Sequence, residues 1–450
     1  MRVLLLSTYE LGRQPIHLAS PAAALRRTGH LVRTADLSVD DLRMADLDWA
    51  ERVAISVPMH TATRLGDDLV SVIEAYRADL PVATYGLYAG VGDADVAGRL
   101  EGEYEPGLID WVDDPGDGAT RRHVGRSDFS TPERYDLPGL DRYARLEHDG
   151  KVLLVGSVEA THGCRHRCRH CPIPTVYDGR IRIVPADEVS ADIDNLVAAG
   201  AQHVTFGDPD FLNAPAHTVS ILERAHRAHP DLTFDVTVKV EHILEHSGIW
   251  PDLADLGLLF VVSAFESVDD ETLQVLDKGH TRADAVTAIG LTRAAGIHLR
   301  PTWLPFLPWS SLDDVADIFE FIATNDLAGA TDPVQLAIRL LIPRGSLLEE
   351  HAVLAPYLVE YDSKALSWLW RFEDPEVEVL HKELEAIAAE ASDCGRETGA
   401  TLETMRISAA RMTGRDLPPL HAASPVPRLT ESWFCCAEPT RTQTVRIKPR

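Results

Sequence analysis

The stretch Glu159-Ala-Thr-His-Gly-Cys164-Arg-His-Arg-Cys168-Arg-His-Cys171-Pro172 decides how this 450-residue chain is read. Three of its six cysteines fall within eight residues, directly after an apolar strand pattern at Val152–Glu159. Thiols at that spacing can converge on one centre, and soft sulfur ligands select iron–sulfur clusters or zinc. A closed structural zinc site takes four ligands, so zinc would have to recruit His162, His166, His170 or a distant cysteine. Three unconnected thiols in a reducing compartment are the bland alternative. The third reading is a cubane cluster with one iron lacking a protein ligand.

Working outward, strand and helix patterns alternate on both sides of the cysteines. Downstream strands are expected at His203–Phe206, Thr233–Val238, Leu258–Ser263, His298–Trp303 and Val334–Leu341. Helices are expected near Ala186–Ala199, Ala216–Ala228, Glu241–His246, Asp270–Leu276, Ala283–Ala295 and Leu312–Thr324. Six such units point to a barrel or partial barrel, with its chemistry at the carboxyl ends of the strands. Upstream, strands at Val3–Ser7, Leu31–Thr34, Arg52–Val57 and Pro81–Tyr85 alternate with helices, which predicts a parallel sheet. Its ligand edge falls near Tyr9–Gln14, Pro58–Thr63 and Tyr85–Gly92. No GxGxxG follows a strand, so a dinucleotide has little support. The fold class is therefore α/β, in four parts: a parallel-sheet domain over 1–111, a Pro- and Gly-rich linker over 112–150, the barrel over 151–342, and a mostly helical region with a cysteine-bearing tail over 343–450.

The 43 basic and 70 acidic residues give a net charge of −27, which argues against a nucleic-acid binder while allowing a local basic pocket. Six cysteines are too few for a disulfide scaffold. The opening MRVLLLSTYELG is too short for a secretory signal, and no apolar run of about 20 residues exists to span a membrane. The expectation is a cytoplasmic protein.

With spacing, strand placement and the six following units in agreement, the sequence resembles the radical S-adenosylmethionine (SAM) superfamily, marked by CxxxCxxC after the first barrel strand. The resemblance implies that Cys164, Cys168 and Cys171 hold three irons of a 4Fe–4S cluster, and that SAM chelates the fourth. It further implies reductive cleavage of SAM to a carbon radical, and an electron donor such as flavodoxin or ferredoxin. His170 stands where relatives usually carry an aromatic residue against the adenine. The Gly207-Asp208-Pro-Asp210 turn stands where the family places a Gly-Gly-Glu-like turn that receives the methionine amino group. An Asx-capped turn is its bland reading. Lys239 could pair with the ligand's carboxylate, while Glu241 and His242 could simply begin the helix; Glu266 could meet a ribose or substrate or be a helix-start acid. Arg300 and Trp303 could line the pocket, with a core or rim role favoured for the tryptophan.

The N-terminal domain is Rossmann-like and topologically similar to the cobalamin-binding domain of many radical enzymes, although the DxHxxG motif is absent. The tail, Trp433-Phe-Cys435-Cys436-Ala-Glu-Pro439, resembles the CUAEP/CCAEP-tail radical SAM (seleno)proteins. Selenocysteine in relatives implies nucleophilic or redox chemistry at the Cys435/Cys436 pair. Cys394 reads as structural. The resulting expectation is a radical SAM enzyme acting on a small molecule with help from the tail thiols. The alternatives are 3-amino-3-carboxypropyl transfer to a soft acceptor such as arsenite, cobalamin-dependent methyl transfer, and a non-enzymatic iron–sulfur sensor.

Overall fold

The computed structural model describes residues 1–116, 118–420 and 426–431. The N-terminal domain runs β1 (Arg2–Ser7), α1 (Ile16–Arg27), β2 (Leu31–Asp36), α2 (Met44–Trp49), β3 (Arg52–Ser56), α3 (His60–Tyr76), β4 (Val82–Tyr85), β5 (Gly98–Gly102), α4 (Tyr104–Asp113) and β6 (Thr120–His123). Its six strands are all parallel in the order β2-β1-β3-β4-β5-β6. Strands buried on both faces read as apolar runs, as Val3–Leu6 does. One face packs Leu4, Leu6, Val53 and Ile55 against α3. The other packs Val3, Leu5 and Ala54 against Leu18, Ala22 and Trp111. The order reverses between β1 and β3, and ligands settle at such a switch point.

The second sheet follows through β7 (Arg145–His148), β8 (Lys151–Val158), β9 (Thr161–Gly163), α5 (Ile173–Tyr177), β10 (Ile181–Ile183), α6 (Ala186–Ala198), β11 (His203–Phe206), α7 (Pro215–Ala228), β12 (Thr233–Thr237), α8 (Val240–Glu245), α9 (Trp250–Asp255), β13 (Leu258–Glu266), α10 (Asp270–Val275), α11 (Arg282–Ala294), β14 (His298–Trp303) and α12 (Leu312–Thr324). Strands β8, β11, β12, β13 and β14 are parallel neighbours. The sheet curls into a half-barrel around a core that includes Phe206, Phe234, Phe265, Trp303 and Phe319. Helices α11 and α12 start with capping boxes built by Thr281/Asp284 and Ser311/Asp314.

The sixth expected strand, Val334–Leu341, does not form as a strand. Pro333 opens a 3-10 turn over Pro333–Ala337, and only a single bridge, Phe306 to Arg339, follows beside the sheet. Within the 112–150 stretch the structure places β6 on the N-terminal sheet and β7 on the barrel sheet. β7 pairs antiparallel with β8 through the two-residue turn Asp149-Gly150, whose φ angles of 48° and 70° suit a type I′ hairpin.

The remaining elements are the hairpin β15 (Leu358–Asp362) and β16 (Ser367–Trp370), the helices α13 (Pro375–Cys394) and α14 (Thr398–Thr413), and β17 (Arg428–Leu429). β17 pairs with β7 at the sheet edge, while Arg300 on β14, at the opposite edge, donates to the Pro427 carbonyl at 3.1 Å. Residues 427–429 thus connect the two edges of the curled sheet.

Candidate active site

A cavity of about 360 Å³ lies between the carboxyl edges of the two sheets, a size in the range of small-molecule sites. The N-terminal wall is Glu10, Leu11, Arg13, Pro58, Met59, Leu87 and Tyr88, from the loops after β1, β3 and β4. The barrel wall carries Cys164, Cys168 and Cys171 with His166, His170, Gly207, Asp208, Asp210, Lys239 and Glu266. The structure thus brings together every barrel residue proposed for the cluster and SAM.

The cysteine loop is fixed at both ends. Gly163 takes φ 75°, and a Cβ there would meet the Arg180 carbonyl at 2.4 Å, so only glycine lets β9 approach β10 so closely. At the far end the Arg169 amide donates to the Leu276 carbonyl, and the Leu348 amide donates back to Arg169. Asp208 accepts from the Thr161 hydroxyl (2.6 Å) and the Ala160 amide (2.9 Å), and burial pushes its carboxyl up to about 7. Asp210 accepts from the amides of Leu212 and Lys239, with His242 Nδ1 at 3.0 Å. The Asx-capped turn read from the sequence is therefore present at Asp210, and both aspartates brace the walls on which they sit. Gly207 leaves room for Glu159, whose Cγ lies 3.2 Å from where a Cβ would stand.

Lys239 Nζ sits 3.0 Å from Glu241 and 3.2 Å from His166. Glu266 ends β13 in a left-handed conformation, φ 65°, an uncommon state that marks strained functional positions. Its Oε1 lies 3.1 Å from His170 and 3.2 Å from Lys278. Burial opposes its ionisation, yet Lys278 and His170 hold the carboxyl at about 2. Lys278 is 3% exposed and belongs to no sequence signature, so its place beside the cysteines emerges only in three dimensions.

A second polar chain crosses from one domain to the other. His17 stands 2.9 Å from Glu10 and 3.6 Å from Glu159, and His162 stands 3.2 Å from Glu159 and 3.0 Å from Glu103. Burial works against charge on His17, but Glu10 and Glu159 raise it to about 9. Burial likewise works against ionisation of Glu159, but His17 and His162 draw it down to about 2. Arg13 adds a guanidinium with its Nε buried and unpartnered, and it has no carboxylate within 4 Å among the described residues. Glu10 falls in the Tyr9–Gln14 stretch expected at the ligand edge, whereas His17 and Glu103 carry no motif and were not legible as site residues.

Two expectations move. Arg300 turns away from the cavity to Asp332 (2.7 Å) and Pro427. Trp303 does line the cavity, 1% exposed, with Nε1 buried and unpartnered. Cys394 is exposed at the end of α13. Cys435 and Cys436 lie outside the described residues, but the chain is placed as far as Glu431, whose Oε1 accepts from the Tyr9 hydroxyl at 2.8 Å.

The donor set suits an open-site cluster with SAM: three thiol residues on one cavity wall, and buried atoms without partners at His170 Nδ1 and Trp303 Nε1 for a ligand to satisfy. Residues 158–322 match the family model described as the Radical SAM superfamily. Among curated proteins, the chain is 23% identical over 329 residues to a hopanoid C-3 methylase of Methylococcus capsulatus, covering 64% of this chain and 62% of that protein. It is 23% identical over 267 residues to a hopanoid C-2 methylase of Rhodopseudomonas palustris, covering 55% and 48%. The chain thus spans about half to three-fifths of the length of these relatives. Among solved structures it is similar to OxsB, a cobalamin-dependent SAM radical enzyme with aqua-cobalamin and SAM bound (TM-score 0.68, 15% identity, 87% of this chain and 66% of that one). It is also similar to the radical SAM methyltransferase TsrM from Kitasatospora setae with tryptophan and a SAM analogue bound (TM-score 0.58, 20% identity, 74% and 72%). At these identities the likeness establishes the fold.

Proposed function

We propose that this chain, whose residues 158–322 match the Radical SAM superfamily model, is an enzyme whose cavity binds a 4Fe–4S cluster through Cys164, Cys168 and Cys171, SAM beside it, and a small-molecule substrate under the N-terminal loops. The observation that carries this reading is the single cavity shared by the three cysteines and the carboxyl edge of the N-terminal sheet. A cluster with SAM supplies a carbon radical by one-electron reductive cleavage of the sulfonium, and such a radical must be kept from water. The protein's part is to orient and enclose. His170 presents a flat ring with a free Nδ1, Lys239 offers a cation to a carboxylate, and Asp210 and Asp208 offer acceptors to an ammonium. Glu266, held ionised by Lys278, suits ribose hydroxyls.

The tail thiols complete the proposal. Residues 427–431 are tied to β7, to Arg300 and to Tyr9, so the chain is held beside the loop Tyr9–Arg13 that walls the cavity. Cys435 and Cys436 follow Glu431 by four and five residues, at most ~14 and ~18 Å of extended chain, a span that would reach a substrate there. We assign the pair to binding or presenting that substrate.

Cobalamin-dependent methyl transfer is the second reading. It is favoured by the cavity wall formed at the β1/β3 switch point, where a corrin could lie against Leu11, Met59 and Tyr88, and by the cobalamin bound in OxsB. Anaerobic reconstitution followed by reduction with SAM, with the products read by mass spectrometry, tests the proposal. 5′-Deoxyadenosine supports hydrogen abstraction. Methylthioadenosine above background supports aminocarboxypropyl transfer, with arsenite as the acceptor to try first. S-adenosylhomocysteine formed only with cobalamin supports methyl transfer. None of the three from a chain with a full cluster refutes enzymatic SAM use.

A further inference from the structure

Radical SAM chemistry consumes an electron that the chain must receive from outside. The protein as a whole is strongly acidic, at −27. The segment 164–182 reverses this sign, with Arg165, Arg167, Arg169, Arg180 and Arg182 against a single acid, Asp178. Arg165, Arg167 and Arg180 stand together on the cysteine loop and at the start of the strand beside it. The antiparallel pairing of β10 with β9 sets Ile181 opposite Gly163, and so carries Arg180 alongside Cys164. A Cβ built on Gly179 would lie 4.0 Å from the Arg167 side chain and 3.5 Å from the Arg165 carbonyl. Arg122 joins them from β6, donating to the Thr175 carbonyl at 2.9 Å.

Their charges are only partly cancelled. Arg167 pairs with Asp178 at 3.0 Å, both 57% exposed, a geometry in which solvent screens most of the attraction. Arg169 faces Asp277 at 3.9 Å, and Arg122 pairs with Glu101 at 2.8 Å. Arg165 and Arg180 are exposed and, among the described residues, have no carboxylate within 4 Å. The guanidinium groups therefore stand on the outer side of the loop whose inner side presents Cys164, Cys168 and Cys171 to the cavity.

We propose that this arginine face, centred on Arg165, Arg167 and Arg180, is the docking surface for an acidic one-electron carrier protein. The proposal rests on the cluster assignment above. One electron leaves the carrier's reduced cofactor and one enters the cluster held by the cysteine loop; the carrier is oxidised by one electron, the cluster is reduced by one, and no proton or bond changes partner at this step. An acidic carrier is repelled by the rest of the surface and attracted here, so charge selects the face formed by the cysteine loop itself. None of the three arginines lines the cavity, so their removal leaves the substrate side untouched.

The test uses the cluster-loaded protein and a reduced bacterial flavodoxin as the probe. Binding is measured directly by titration, and SAM cleavage is driven in parallel by flavodoxin and by dithionite, which needs no docking site. The triple variant Arg165→Glu, Arg167→Glu, Arg180→Glu should weaken flavodoxin binding by about 10-fold or more, in line with charge-dominated docking. Flavodoxin-driven cleavage should fall in step, while iron content and dithionite-driven cleavage stay unchanged. Arg180→Glu alone, outside the cysteine loop, should give a smaller loss of the same kind. Wild-type affinity should fall steeply with added salt. Flavodoxin affinity unchanged in both variants, or insensitive to salt, overturns the docking proposal. Failure of wild-type SAM cleavage even with dithionite would instead strike the cluster assignment, and the binding titration would still decide the docking surface.

Discussion

Replacing Arg134 by alanine removes the bracket that holds the two sheets edge to edge over the cavity. Arg134 donates Nε and Nη2 to the two oxygens of Asp192 on α6, each at 2.7 Å. Nη2 also meets the Ser157 carbonyl of β8 at 2.7 Å, and Nη1 meets Gln14 Oε1 of the N-terminal domain at 3.1 Å. The Arg134 and Asp192 side chains are 9% and 2% exposed, so water cannot rehydrate an orphaned partner. Removing one member of such a pair costs about 3–5 kcal/mol, mostly the penalty on the charge left behind. Replacing both with apolar groups, Arg134→Met with Asp192→Leu, should bring the cost to within ~1 kcal/mol of the wild type. With single costs of about 3–5 kcal/mol for Arg134→Met and for Asp192→Leu, the coupling in the double-mutant cycle is then at least ~5 kcal/mol. Urea midpoints at constant slope provide the energies, and hydrogen exchange at 9–16 reports whether the Gln14 loop loosens. A single-variant cost below ~1 kcal/mol, or single costs that simply add, would refute the bracket.

Other consequences follow from named contacts. Asp36 is 1% exposed, and burial pushes its carboxyl up to about 6 despite hydrogen bonds from Ser38 and Tyr143. Its folded-state pKa is raised, so its contribution is present in acid and lost as pH rises from about 4 through 6; Asp36→Asn should stabilise the chain at pH 7.5 by roughly 1–3 kcal/mol and have little effect at pH 4.5, and destabilisation at pH 7.5 would contradict this. Gly163→Ala forces the Arg180 carbonyl away from a contact of 2.4 Å; iron bound after reconstitution should fall several-fold, and full iron content would show that the loop tolerates the shift. Tyr9→Phe deletes the hydrogen bond to Glu431, worth about 1.5–3 kcal/mol for a charged acceptor; final product should fall about 10-fold while SAM cleavage continues, and unchanged product would sever the tail from the reaction.

The alternation of apolar strands with helices was legible because both sheets are buried on both faces, so Val3–Leu6 and Leu258–Val262 read as apolar runs. The cysteine loop was legible because its ligands are consecutive in sequence. The sixth barrel strand was misread, because Val334–Leu341 has strand composition but Pro333 starts it as a 3-10 turn. β7 went unseen inside the 112–150 stretch, although Asp149-Gly150 is a hairpin dipeptide that could have flagged it. Lys278, His17 and Arg134 act through partners 7 to 142 positions away, a relation no local pattern encodes. Arg300 illustrates the reverse error. Its position on β14 suggested the cavity, whereas the pleat and the Asp332 carboxylate turn it away from the cysteines.

The central claim is that Cys164, Cys168 and Cys171 hold a cluster whose remaining iron is open to SAM in the shared cavity. Electron–nuclear double resonance on the reduced, reconstituted chain with SAM isotope-labelled at its amino nitrogen and carboxylate oxygen tests it most directly. The account predicts hyperfine coupling to both labels, and loss of the whole signal in Cys168→Ala. A cluster that couples to neither label, or that persists when all three cysteines are alanine, would contradict it.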